Sequence, residues 1–92
     1  MPEIKVERNL SRERQEELGV SEWPIWKKEA SEFHWTYYIE ETCYLLEGEA
    51  TVTPLNGGEP VRFGAGDLVV FPPDLACVWN ITKPVRKHYH LD

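Results

Sequence analysis

The 92-residue sequence contains no apolar run long enough to cross a membrane, and its first twenty residues are rich in charge. Neither a membrane anchor nor a signal peptide is therefore read from it, and a cytoplasmic location is the expectation. Basic residues are too few to form a stripe. Ten Lys and Arg against sixteen Asp and Glu give a net charge of −6, the wrong sign for neutralising phosphates, so no nucleic-acid partner is expected. There are only two cysteines, Cys43 and Cys77. They lie on separate predicted strands without CxxC spacing, which reads as two buried thiols in a reducing compartment and not as a disulfide. Repeats, low-complexity tracts and linkers are absent, as are a phosphate-binding glycine loop leading into a helix and a Gly-x-Ser-x-Gly nucleophile motif.

Strand patterns and aromatic rings are abundant. The length suits one domain on one core, read as residues 1–92, with residues 1–19 as an N-terminal extension and 20–91 as the body. Four Trp help a small core, because large rings bury much area per residue. Met1 to Glu7 alternates weakly and reads as a short edge strand. Ser11 followed by Arg12-Glu-Arg-Gln-Glu-Glu-Leu18 and Gly19 reads as one short capped helix. Trp23-Pro-Ile-Trp26 is extended, since Pro24 forbids a helix interior.

From Ser31 to Tyr38 the alternation is clear, with Phe33, Trp35 and Tyr37 on one face and His34, Thr36 and Tyr38 on the other. Thr42–Leu46 and Glu49–Thr53 read as two strands joined at a bend at Gly48. Asn56-Gly57-Gly58 is a hairpin turn. Val61–Phe63, Asp67–Phe71 and Ala76–Ile81 follow as strands, with Cys77, Trp79 and Ile81 sharing a face. Lys83-Pro84 is read as a turn and Val85–Leu91 as the closing strand. Many short strands at such spacings indicate a β-sandwich or barrel.

Several of these segments resemble a known family. Glu41, six residues and Gly48 are similar to the second half of the first cupin motif. Gly66, five residues, Pro72 and then Cys77 at a histidine position are similar to the second. Trp23-Pro-Ile-Trp26, Phe33-His-Trp35, Glu41–Gly48, Phe71-Pro72, Trp79 and Pro84–Lys87 resemble the small single-domain cupins grouped with the ureidoglycine aminohydrolase cupin domain. Lys28 and Asp74 depart from the pattern, standing where the general motifs carry glycines.

The resemblance implies an all-β fold, a small cupin jelly-roll β-barrel with one short N-terminal helix and a pocket between its sheets. It also implies pairing as a homodimer through edge strands, where Trp23, Trp26 and Trp35 either line the interface or cap the core of one subunit. Metal-bearing cupins hold an ion with two histidines and a glutamate from the first motif and a histidine from the second. Placed on that pattern, the metal candidates are His34, Glu41 and Cys77, with Thr36 at the remaining position, for Mn, Fe, Ni or Zn. His34, Thr36, Glu41, Cys43, Cys77 and Trp79 are the pocket candidates.

Each has a plainer reading beside it: His34 as a hydrogen-bonded histidine, Glu41 as a loop anchor, Cys77 as a small hydrophobe. His88-x-His90 follows Arg86 and Lys87 and reads as the solvated face of a closing strand. The functional expectation is a small-molecule-binding cupin with a degenerate metal site. The alternative is a metal-dependent aminohydrolase acting on ureido compounds, in which the metal polarises a carbonyl or activates water.

Overall fold

The structure, a computed structural model, describes residues 3–92. Its strands are β1 (Lys5–Glu7), β2 (Ile25–Lys28), β3 (Ser31–Tyr37), β4 (Glu41–Pro54), β5 (Val61–Gly64), β6 (Leu68–Phe71) and β7 (Leu75–Leu91). One helix, α1 (Arg12–Leu18), and a single 3-10 turn (Val20–Glu22) lie between β1 and β2. The expected all-β architecture with one short helix is present, and all strand pairs are antiparallel.

Two long strands organise the barrel. The sequence reading divides β4 at Gly48 and β7 at Lys83-Pro84, but both run on through these points. They bend together and exchange partners at the bend. On one side of it, Glu41–Tyr44 of β4 pairs with β6, and Val85–His88 of β7 pairs with β2. On the other side, Glu49–Val52 of β4 pairs with β5, and Leu75–Ile81 of β7 pairs with β3. The two halves form the two walls of a jelly-roll barrel, and β1 extends one wall by pairing with β6.

The bend has a local cause. The register between β4 and β7 shifts between Leu45 and Ala50, a bulge that turns a strand sharply. Gly48 has φ +99°, and a Cβ there would overlap the carbonyl of Pro84. Pro84 has no N–H to offer a ladder and sits at this irregularity, where none is needed. The bulge also changes which residues of β4 face inward. Cys43 and Leu45 are buried before it, Ala50 and Val52 after it, whereas β7 buries Cys77, Trp79, Ile81, Val85 and Lys87 without a change of phase.

Between the walls lies an aromatic core. Trp79 is fully buried and packs edge-on to Phe63 at 5.4 Å, while Tyr37 stacks on Phe71 at 4.6 Å. The Trp79 indole N–H donates to the Tyr37 hydroxyl at 3.0 Å, so both polar tips are satisfied inside the core.

The N-terminal segment is tied to the barrel at one carboxylate. Asp67, buried behind the Gly64–Gly66 turn, accepts from the Arg8 guanidinium and from the backbone amides of Asn9 and Gly64. Helix α1 follows, with the Ser11 hydroxyl accepting from the Arg14 amide and Gly19 left-handed at its end, as the cap pattern requires. At Asp74, where the general cupin motif has glycine, the backbone is also left-handed, φ +63°. Aspartate tolerates that conformation better than most side chains, so the turn survives the replacement.

Candidate functional site

Strand β3 decides which of the expected site residues enter the barrel. Its pairing with β7 directs Phe33, Trp35 and Tyr37 toward the interior or its mouth, and leaves His34 and Thr36 exposed on the outer face. This corrects the placement of His34 and Thr36 as pocket or metal-binding residues. Motif spacing aligned them with ligand positions, but side chains alternate along a strand and the three rings claim the inside.

Glu41, Cys43, Cys77 and Trp79 do point inward. Cys77 is fully buried, and its only side-chain hydrogen bond among the described residues is to the Trp35 carbonyl at 3.4 Å. Among the described residues, no three His, Cys, Asp or Glu side chains converge on a common ion position. The set His34, Glu41 and Cys77 is therefore not assembled.

Glu41, Cys43 and Trp79 instead surround Lys87, which the sequence reading names only beside the His88-x-His90 pair and in the Pro84–Lys87 resemblance. Paired with Trp26 across one ladder and Leu45 across the other, it faces inward and is buried. Its ammonium lies 3.1 Å from Glu41 Oε2 and 3.2 Å from Cys43 Sγ. It also stands 4.8 Å from the ring centres of both Trp26 and Trp79, within cation–π range. The Cys43 thiol contacts the same Glu41 Oε2 at 3.0 Å. Val85, Lys87 and Tyr89 continue the alternation of Cys77, Trp79 and Ile81 in phase. That continuity is visible in the sequence once the two halves of the strand are joined.

Above this group opens a cavity of about 240 Å³. Trp26, Phe33, Trp35, Tyr89 and Leu91 wall it, and Tyr37, Glu41, Trp79 and Lys87 line its inner end. Trp35 and Leu91 are about half exposed and form the rim. Trp26 thus packs inside the pouch, edge-on to Trp79. Trp23 stacks on His90 at 5.4 Å. His88 Nδ1 is 2.8 Å from the Trp23 carbonyl oxygen, so the two histidines of the closing strand serve the Trp23 segment. A roomier groove of about 480 Å³ beside the Asn56–Glu59 hairpin has Glu3 and Glu59 as its only ionisable lining among the described residues. It offers fewer converging polar groups than the pouch.

The electrostatics limit the chemistry. Burial opposes the charge on Lys87, but the Cys43 sulfur and the Glu41 carboxylate outweigh it and hold the pKa above the ordinary lysine value. Lys87 is therefore an ammonium, not a nucleophilic amine. Burial pushes the Cys43 thiol up to about 12 and the Cys77 thiol up to about 11, so neither is a thiolate near neutral pH. Burial likewise raises the Tyr37 phenol. The floor offers hydrogen bonds and a paired positive charge, and no activated nucleophile. The metal that the wider family implies does not fit these donors: an ammonium already occupies the inner oxygen of Glu41, and the histidine is outside.

Comparison with known proteins agrees with the fold. No curated protein matches the chain. A DUF861 family protein from Thermotoga maritima is 49% identical with a TM-score of 0.93, the match covering 98% of this chain and all of that one. A Pseudomonas syringae protein of unknown function, also of the DUF861 family, is 28% identical at TM-score 0.65, over 74% of this chain and 29% of that one. The EutQ protein of Clostridium difficile, 16% identical at TM-score 0.66 over 96% of this chain and 66% of that one, shares the fold. The family model described as the EutQ-like cupin domain matches residues 15–89, and the chain belongs to that family of small cupins.

Proposed function

We propose that this chain is a small-molecule-binding cupin whose pouch uses Lys87, in place of a metal ion, as the cation at its floor. One observation carries the reading: a buried ammonium, hydrogen-bonded to Glu41 and flanked by two indoles, lies beneath an open aromatic-walled cavity. Pockets of this kind take their affinity from apolar walls and their orientation from a few polar groups. The cavity is smaller than drug-sized sites, so the ligand is a small metabolite.

A metal-dependent aminohydrolase acting on ureido compounds is the competing reading. Its support is the motif match of Glu41 and that residue's inward position. Among the described residues it lacks a converging donor set. Pairing of two copies through the free edges of β2 and β3 belongs to the proposed reading, and light scattering tests it by giving twice the chain mass.

Two measurements on the full chain decide between the functions. Metal analysis after purification without chelator is expected to find Mn, Fe, Ni and Zn well below one ion per chain. A thermal-shift screen of small ureides, sugars, amino acids and single-ring aromatic compounds is expected to yield a saturable rise in Tm, since a ligand selective for the native state stabilises it. One ion per chain, lost in Glu41→Ala, would overturn the proposal in favour of the enzyme.

A further inference from the structure

The polar floor of the pouch restricts what the ligand can be, an inference that rests on the binding reading above. Its two formal charges cancel. Both side-chain hydrogen bonds of Glu41 fall on Oε2, from Lys87 at 3.1 Å and Cys43 at 3.0 Å. Among the described residues, Oε1 receives no side-chain donor. Lys87 has three N–H bonds, and its polar partners are Glu41 Oε2 and Cys43 Sγ. Two indole faces take up charge beside it. Among the described residues, one acceptor of Glu41 and one donor of Lys87 are therefore left without a side-chain partner, on two neighbouring residues that both line the cavity.

A ligand that completes this arrangement presents a donor next to an acceptor. A carboxylate would accept from Lys87 but face the Glu41 charge at once. An ammonium would donate to Glu41 and face Lys87. Each would have to shed its hydration at the buried floor, where the Lys87 and Glu41 side chains are largely out of water, for one favourable and one unfavourable contact, a poor exchange. An uncharged cis-amide edge meets both groups. The remaining lining, Trp26, Phe33, Trp35 and Tyr89, is flat and aromatic and favours a planar body. A cavity of about 240 Å³ holds roughly eight waters at ~30 Å³ each, which is room for one small ring.

We infer that the pouch selects a small, flat, uncharged ring with a cis-amide edge, such as a lactam or a heteroaromatic ring in its keto form. It does so over carboxylate or ammonium compounds of the same size. The Glu41 Oε1 acceptor receives the ring N–H, and Lys87 donates to the ring carbonyl.

Isothermal titration calorimetry of the full chain with 2-pyridone, benzoate and benzylamine tests this directly. The expected result is a Kd for 2-pyridone at least about tenfold below the other two, the worth of one hydrogen bond to a charged group. In the double variant Glu41→Met/Lys87→Met, which leaves no unpaired charge, the preference should collapse to within about twofold. Its circular dichroism and melting curve verify folding independently. Benzoate or benzylamine binding as tightly as 2-pyridone would overturn the inference while leaving a binding pouch. If none of the three binds although the wider screen yields a ligand, the inference also fails and the broader reading stands. If nothing in either set binds, both fail.

Discussion

Lys87 and Glu41 form a nearly closed ion pair, with side-chain exposures of 6% and 12%. Taking either charge out of water is costly, and only the partner and the surrounding hydrogen bonds offset it. Removing one member leaves the other stranded. Lys87→Met and Glu41→Gln should each lower unfolding stability by about 3–5 kcal/mol, read from urea denaturation midpoints. The double replacement Glu41→Met/Lys87→Met should fall within about 2 kcal/mol of the parent, because an apolar pair of similar volume removes the desolvation cost together with the attraction. Equal, additive losses would show that the pair is not coupled. At this scale the sequence was half legible. Glu41 was identified from its distance to Gly48. Motif spacing places His34 in the site, whereas the alternation of rings beside it turns that side chain outward. Lys87 stood in phase with Trp79 and Ile81, yet a lysine near a chain end reads as solvated until its partner is known.

Among the elements, β4 and β7 carry the architecture, and their shared bend determines where the pouch opens. Glycine at position 48 serves two needs there, a left-handed φ and contact with the Pro84 carbonyl. Gly57 in the Asn56–Gly58 hairpin has a similar φ of +91° but nothing within 4 Å of its absent Cβ. The pair separates backbone strain from steric overlap. Gly57→Ala should cost about 1 kcal/mol from strain alone, while Gly48→Ala should cost about 3 kcal/mol or more, because two backbones must part. Thermal denaturation of both variants checks the ordering, and equal losses would remove the contact from the explanation. The strands themselves were legible from alternation and glycine punctuation. Their continuity was not. A proline and a glycine opposite one another mark a joint bend only when the two strands are known to pair, and pairing across about forty residues leaves no local trace. The bulge that switches the inward face of β4 from odd to even positions was recorded only indirectly, in Cys43 and Leu45 giving way to Ala50 and Val52.

For the whole molecule, the consequence is a core that keeps its protons longer than the unfolded chain does. Cys43 moves from an ordinary 9.0 to about 12 and Cys77 from 9.0 to about 11, both through burial. In alkaline solution the unfolded chain gives up these thiol protons first, so fewer are bound in the unfolded than in the folded state. Stability then falls as pH rises. Lys87 acts in the same direction. Its folded pKa lies above the ordinary 10.5, so its contribution is complete below that value and disappears as pH climbs through the folded one. The Tyr37 phenol, raised by burial, adds a further loss once free tyrosine ionises near pH ~10. These four groups all push the melting temperature down from about pH 9 upward, and none contributes a slope near neutrality. Replacing both cysteines with alanine removes the two thiols and also the larger of the two influences that raise Lys87, leaving the buried Tyr37 phenol as the main group, so the onset of the decline should move from about pH 9 to about pH 10. Melting curves between pH 7 and pH 11 at constant ionic strength measure this. An unchanged onset in Cys43→Ala/Cys77→Ala would show that the thiols are not the groups that a dry, ring-filled barrel holds protonated.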